Sequence, residues 1–540
     1  MSNRLIVCFC GFCLISLLLF LRIGVIATDE KLQNTANTQS TFSLTFNKTR
    51  GQIYDCKLLP FTDIEKTYVA SCLPTIENLS DLLHTGSLKA SAPIGNLIDL
   101  GKPFLVRSIF PEVNIPFVNV LTIPKRYSEN TLAQHIIGYT DSNGDGVTGI
   151  EKAFNDRLTK NSGNSKISYK IDGLRRPLVG VKPSIDYASI LNEGVVLTID
   201  SRIQKICEDI GSVHLKKGAI VVMEPSTGKL KAVASFPSYN INGLSSAMSD
   251  TKNSPLINRA LYAYNVGSTF KIVTAAAALT QGISPETTFE CTGELDVLGQ
   301  KFGCHDKKGH GVLNLKQAME VSCNPYFIQL GLKLNKEKFK NMAFDMSFSK
   351  PTNFSAGFAS QKGYLPTLDE LFNPADIGNF SFGQGILMAT PIQIAQMLSC
   401  VLNDGGTPQA QLIEGYSSNG KVIDERIKSA PQVKSFDKNV ASLIKDYLVS
   451  SVMNVSNQYA KPTHTTAGGK TGTAQTGQYS GSGEEILQGW FAGFFPAENP
   501  EYVVVVLSED ARSGNQDASP VFRLIADKLN EPTVYKDFVE

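Results

Sequence analysis

The sequence lacks an excess of either charge: 51 Lys and Arg stand against 50 Asp and Glu, a net charge of +1 over 540 residues. A chain so balanced has no electrostatic footprint for a phosphate backbone, and no nucleic-acid partner is expected. It lacks an internal period, which excludes a repeat architecture. Of its ten cysteines, Cys8, Cys10 and Cys13 lie near the N-terminus. The others, Cys56, Cys72, Cys207, Cys291, Cys304, Cys323 and Cys400, contain no CxxC pair, so a disulfide framework is excluded. What remains is globular: 42% hydrophobic and 19% charged residues, long enough for two to three domains with a large core.

The first 30 residues differ from the rest. Arg4 precedes an uncharged run from Leu5 to Leu21, followed by Arg22 and "GVIATDE". Residues 5–27 are long enough to cross a bilayer if Arg22 snorkels to the interface. A secretory signal cut after Ala27 is the alternative, but its apolar region would be longer than such signals usually have. A retained anchor is expected, with residues 1–4 cytoplasmic and the bulk of the chain outside.

Residues 28–195 mix short strand patterns, "TFSLTF" and "VNVLTI", with polar turns, and read as one strand-rich N-terminal module. From 196 the texture becomes regular. "GAIVVMEPSTGKLKAVASF" is two β-rich runs around a Pro-Ser-Thr-Gly turn, a hairpin signal. Helical patterns follow, then strand candidates at "GGKTGTAQTGQ", "GWFAGFFPAE" and "EYVVVVLSED", and a last helix at "SPVFRLIADKLN". Strands, helices and strands again predict an α+β domain with an antiparallel sheet flanked by helices over 196–540.

Two metal-like patterns are weak. "DSNGDGVTGIEK" aligns Asp141, Asn143, Asp145 and Gly146 with a calcium loop, but the twelfth position needs a bidentate acid and holds Lys152, with Glu151 one place early. It reads as a turn. "FECTGELDVLGQKFGCHD" reads as strand, turn and strand, which leaves a Cys291–Cys304 disulfide open. Adding His305 and His310 gives no complete ligand set, and no metal is expected.

Chemistry enters through Ser-x-x-Lys, which begins at Ser226, Ser249, Ser268, Ser347, Ser418, Ser435 and Ser442. Ser226, Ser249 and Ser418 lie in turn-forming segments, Ser347 and Ser435 lack periodicity, and Ser442 sits on an amphipathic helix whose Lys445 belongs to the solvated face. Only Ser268 opens a helix that is apolar on nearly every side. A buried lysine there costs several kcal/mol, on the order of the pKa shifts seen for such groups, unless it is paired or neutral. Three residues apart on a helix, Lys271 would face the Ser268 hydroxyl and could take its proton, and the helix N-terminus favours negative charge developing nearby. Downstream lie a Ser-x-Asn at Ser322 and Asn324 and the only Lys-Thr-Gly, Lys470 to Gly472.

That ordered trio is the motif set of penicillin-recognising serine enzymes. "TRGQIYD", "HIIGYTDSNGDGVTGIEKAFNDRL", "GAIVVMEPSTGKLKAVASFPSYN", "NRALYAYNVGSTFK", "GHGVLNLKQAMEVSCNPYF" and "SFGQGILMATPIQIAQ" extend the likeness over nearly the whole chain. The chain resembles class B penicillin-binding proteins, monofunctional D,D-transpeptidases of bacterial peptidoglycan. It departs from them at Val266, where the family often has Pro, and at Cys56 to Leu58, where the family has Arg-Asn-Gly. The resemblance implies a penicillin-binding, serine β-lactamase-like fold over 196–540 and a non-catalytic pedestal or dimerisation module over 28–195. It implies Ser268 as nucleophile on the D-Ala-D-Ala carbonyl, Lys271 as base, Ser322 as proton relay and Asn324 as orienting amide. Lys470 would lower the pKa of Lys271, Thr471 and Thr473 would bind the substrate carboxylate beside Gly472, and the amides of Ser268 and Thr473 would form the oxyanion hole. Implied partners are stem peptides, β-lactam antibiotics and a polytopic glycosyltransferase of the SEDS family; no cofactor is implied. A β-lactamase would need a second base for deacylation, and Glu320, just before Ser322, reads as a solvated or capping residue. A penicillin sensor would carry more membrane spans, and a silent scaffold would have lost the serine or the lysine.

Overall fold

The computed structural model describes residues 2–531 except 91–92, 356, 457 and 482. It divides into two compact units, and the division is not linear. The smaller comprises residues 1–50, 63–126 and 161–191; the larger comprises 51–62, 127–160 and 192–540. This division by contact does not run through a single boundary at 195, since 51–62, 127–160 and 192–195 fall in the larger unit. For the first of these segments the reason is strand pairing: Gln52–Tyr54 lies parallel to Gly194–Leu197, which pairs in turn with Ile413–Ser417.

In the smaller unit, helix α1 (Ser2–Thr28) is long and apolar enough over Asn3–Thr28 to cross a membrane. "TFSLTF" and "VNVLTI" form strands Thr41–Lys48 and Val118–Lys125, as their alternation predicts. Their cores are small, one around Phe104, Val106 and Leu82, another around Phe46, Leu121 and Ile167.

The larger unit is α+β. Helix α2 (Ser201–His214) is capped by Asp200, whose carboxylate accepts from the amides of Arg202 and Ile203. Strands β1 (Gly218–Met223) and β2 (Leu230–Phe236) form the expected hairpin. Helices α3 (Lys271–Thr280), α4 (Asn324–Leu332) and α5 (Pro391–Leu402) follow. Strands β3 (Gly468–Tyr479), β4 (Glu485–Phe495) and β5 (Tyr502–Ser508) and helix α6 (Ser519–Asn530) complete the unit. The sheet order is β2-β1-β5-β4-β3, antiparallel throughout, with β3 at an edge.

Both faces of this sheet are covered, which is why its central strands read as continuous apolar runs. Side chains still alternate. Ala219, Val221, Met223, Val503, Val505 and Leu507 join the core that holds α3 and α5, whereas Ile220, Val222, Val504 and Val506 pack with Cys207 of α2 and Phe522 and Ile525 of α6. A one-residue slip would exchange the two cores.

The segment that imitates a calcium loop is occupied with its own backbone. Asp141 Oδ1 accepts from the amides of Asn143 (2.8 Å) and Asp145 (2.9 Å), while buried Glu151 accepts from the Tyr127 hydroxyl at 2.9 Å. Hydrogen bonds from the loop amides hold the Asp141 carboxyl below its ordinary range.

Candidate active site

Ser268 sits in a 3-10 turn, Gly267–Phe270, that runs directly into α3. The turn is pressed against β3. Gly267 has φ +64°, and a Cβ there would lie 2.9 Å from the Thr473 carbonyl oxygen. From the other side, a Cβ on Gly472 would lie 3.1 Å from Thr269 Cγ2 and 3.2 Å from the Val266 oxygen. Absence of side chains at both positions is what lets serine turn and strand meet. The Gly267 amide donates to Gly383 O at 2.8 Å, and Trp490, opposite Gly472 on β4, donates from Nε1 to Asn265 O at 2.8 Å. Strand and turn are therefore tied on both flanks of Ser268, which is itself half-buried.

Lys271 has no exposed surface. Its Nζ donates to Ser322 O (2.6 Å), Asn324 Oδ1 (2.7 Å) and Ser322 Oγ (3.2 Å). These oxygens satisfy the three donors of an ammonium or, with the Ser322 hydroxyl donating to nitrogen, the two N–H groups and lone pair of a neutral amine, the condition for burying either. Helical spacing alone predicts a Lys271–Ser268 bond, but among the described residues the lysine's bonds go to the Ser-x-Asn motif. The physical reason is valence: a lone hydroxyl satisfies one donor, and a buried ammonium needs partners for all three.

The Ser-x-Asn motif owes its shape to an abrupt turn. Helix Leu315–Glu320, which starts with a capping box at Asn314, stops at Val321; the Cys323 amide returns to Ala318 O at 3.0 Å, and Ser322 adopts φ +53°. α4 then starts at Asn324, with Pro325 in its first turn. The Asn324 side-chain amide donates back to Gly303 O at 3.3 Å, so one residue spans Lys271 and the 300–303 strand.

On β3, Lys470 is 3% exposed and its Nζ donates to Thr471 O at 3.3 Å. Burial pushes it down to about 7. Burial also pushes Lys271 well below the ordinary lysine value, and the Lys470 cation adds to that effect. Strand alternation puts Thr471 and Thr473 on one face and Lys470 and Gly472 on the other. Thr473 Oγ1 accepts from the Gly514 amide at 3.1 Å. Glu320 is held away from a free role by Ser450, whose hydroxyl donates to it at 2.5 Å.

Reading the sequence weighed Cys291, Cys304, His305 and His310 together as ligands but missed one member of the group. Cys323, the middle residue of Ser-x-Asn, lies with Cys291, Cys304 and His310 in a cluster whose Sγ and ring-nitrogen atoms are all within 4.8 Å of one another. All these cysteines are free, so the Cys291–Cys304 pair is two thiols. A hydrogen bond with Cys323 holds the Cys304 thiol far below its ordinary value and pushes Cys323 up. His305 lies beside the group, its Nδ1 3.9 Å from Cys304 Sγ, but is exposed and not part of it.

The family model of the penicillin binding protein transpeptidase domain matches residues 218–527. The chain belongs to this family. Its transpeptidase domain contains all three motifs described above. The chain is 29% identical over 338 residues to the peptidoglycan D,D-transpeptidase PbpA of Mycolicibacterium smegmatis, covering 58% of this chain and 67% of that protein. It is 26% identical to the stage V sporulation protein D of Bacillus subtilis, covering 96% of this chain and 84% of that protein. Among solved structures, penicillin-binding protein A from M. tuberculosis, an imipenem acyl-enzyme complex, shares the fold with TM-score 0.63 and 21% identity, covering 88% of this chain and 97% of that one.

Proposed function

We propose that this chain is a membrane-anchored serine D,D-transpeptidase that cross-links peptidoglycan stem peptides through an acyl-enzyme on Ser268. The observation that carries the reading is the buried Lys271, bonded to Ser322 and Asn324 at the start of the helix that Ser268 opens. Its depressed pKa is what a general base near neutral pH needs. Neutral Lys271 takes the Ser268 proton as Oγ attacks the penultimate D-alanine carbonyl. Ser322 then relays a proton to the departing D-alanine amine, and Asn324 keeps the lysine in place. The Ser268 and Thr473 amides receive the oxyanion, a donor pair worth on the order of 10²–10³ in rate each. Thr471 and Thr473 hold the terminal carboxylate, Lys470 on the opposite face helps keep Lys271 neutral, and Gly472 lies between the two threonines where the substrate backbone runs along the edge of β3. The amine of a neighbouring stem peptide completes the exchange.

A β-lactam enters the same first step and offers no acceptor amine, so its acyl group remains on Ser268. α1 anchors the chain, residues beyond about 30 lie outside the membrane, and a SEDS-family glycosyltransferase supplies the glycan strands. The test is to label the full chain with fluorescent penicillin, map the modified peptide and follow the adduct by intact mass. A long-lived adduct on Ser268, lost in Ser268→Ala, is expected. Labelling at Ser226 or Ser442 would sink the assignment, and several turnovers per second would make the protein a β-lactamase.

A further inference from the structure

Cys291, Cys304, His310 and Cys323 converge from four places in the larger unit. Cys291 ends strand Phe289–Cys291, and Cys304 follows strand Gln300–Gly303. His310 precedes strand Gly311–Leu313, which pairs back onto the first, and Cys323 is the N-cap of α4. His310 Nδ1 lies 3.5 Å from Cys304 Sγ and 3.7 Å from Cys291 Sγ. A tetrahedral zinc ion, with bonds of about 2.3 Å to sulfur and about 2.0 Å to nitrogen, sets its ligand atoms roughly 3.5–3.8 Å apart. The two thiol–imidazole separations already match, and the three sulfurs are buried while His310 is half-buried.

A disulfide accounts for this cluster poorly. Three thiols cannot pair off, and the imidazole nitrogen aimed between two of them would have no role. Unligated thiols outside the cytoplasm are also open to oxidation. A Cys₃His set, by contrast, is a common structural zinc site. We propose that these four side chains hold one zinc ion, and that the ion fixes the turn carrying Ser322 and Asn324. Each of the three sulfurs bonds the ion as a thiolate, and any proton that a thiol still carries passes to solvent as its sulfur–zinc bond forms. His310 contributes the Nδ1 lone pair and keeps its proton on Nε2; no atom changes oxidation state.

The positioning role follows from connectivity. Cys323 stands between the two residues that hold Lys271, and Cys304 follows Gly303, whose carbonyl accepts from Asn324. One ion would thus clamp both the motif and its support. This consequence rests on the roles proposed above for Lys271, Ser322 and Asn324; the metal content does not.

Full-length protein purified in detergent from cells supplied with zinc should contain about one zinc per chain by elemental mass spectrometry. Co²⁺ exchanged into it should give the visible bands of a tetrahedral thiolate site. Cys304→Ser and His310→Ala should each lower the metal content, whereas Ser268→Ala should keep the metal and lose acylation, so the two readings fail separately. Chelation of the wild-type protein should slow penicillin acylation about ten- to hundredfold, and Zn²⁺ alone should restore it. Metal-free wild-type protein with three alkylatable thiols, or with a mapped Cys291–Cys304 disulfide, overturns the site. Loss of metal with acylation unchanged overturns the positioning role.

Discussion

Strand β3 and the turn from Glu320 to Asn324 both bring motif residues to the Ser268–Lys271 segment, but they are held by different forces. β3 is fixed by a ladder: Lys470 to Thr473 pair in sequence with Ala492 to Gly489 of β4, and the sheet behind them is apolar on both faces. The turn has no such ladder. It relies on a positive φ at Ser322, on side-chain bonds to Lys271 and Gly303, and on the thiol cluster behind Cys323. Backbone pairing makes a part of the site hard to disturb by solution chemistry. Side-chain anchoring leaves the other part open to it.

The sharpest way to break this contrast is to remove the group both halves serve. Lys271→Ala should slow acylation by Bocillin-type penicillins about 10³-fold in stopped flow, within the range for a lost general base. A loss under tenfold would mean that Lys271 is not the base. Gly472→Ala attacks the ladder side alone. The new methyl meets Thr269, Trp490 and the Val266 carbonyl at 3.1–3.2 Å, so the Ser268 turn must move by some tenths of an ångström. Acylation should fall about 10²-fold while thermal unfolding shifts little.

Ser322→Gly attacks the turn side and separates its backbone from its hydroxyl. Glycine adopts φ +53° freely, so stability should hold or rise by about 1 kcal/mol. Acylation should nevertheless fall about tenfold, equivalent to about 1.4 kcal/mol, because the hydroxyl proposed as relay is gone. Unchanged acylation would remove Ser322 from the chemistry.

The last effect is on stability rather than rate, and is read per unit of pH. The folded value of Lys470 is about 7 against an ordinary 10.5. Between those values the unfolded chain binds more protons than the folded one, so stability should rise with pH across roughly 7–10.5, by at most about 1.4 kcal/mol per pH unit from this group. Below about 7 both states hold the proton and the full cost of burying the charge is present. Denaturant melts of Lys470→Met should lose this part of the slope.

Much of the candidate site was legible because Ser268, Lys271, Ser322, Asn324 and Lys470 to Thr473 all belong to short motifs, and the proposed acyl transfer asks for such residue types at local spacings. The sheet was legible for a similar reason, since runs such as "EYVVVVLSED" are long and bounded. Two features were not. The partner of Lys271 could not be read from helical spacing, because the number of donors to be satisfied decides it. Cys323 was hidden by the motif itself, whose middle residue carries no assigned chemistry, and its companions reach it only through the pairing of Phe289–Cys291 with Gly311–Leu313.

The close meeting of Gly267 with Thr473, and of Gly472 with Thr269, has an evolutionary side. On the proposed reading these contacts wall the pocket that an antibiotic enters, and the wall is backbone. A bacterium under selection cannot narrow that wall one side chain at a time, because a methyl at residue 267 or 472 displaces the machinery as much as the drug. Escape routes therefore run through the neighbours that do carry side chains, such as Thr471 and Thr473, or through the thiol-anchored turn, where drug and substrate need not be affected equally.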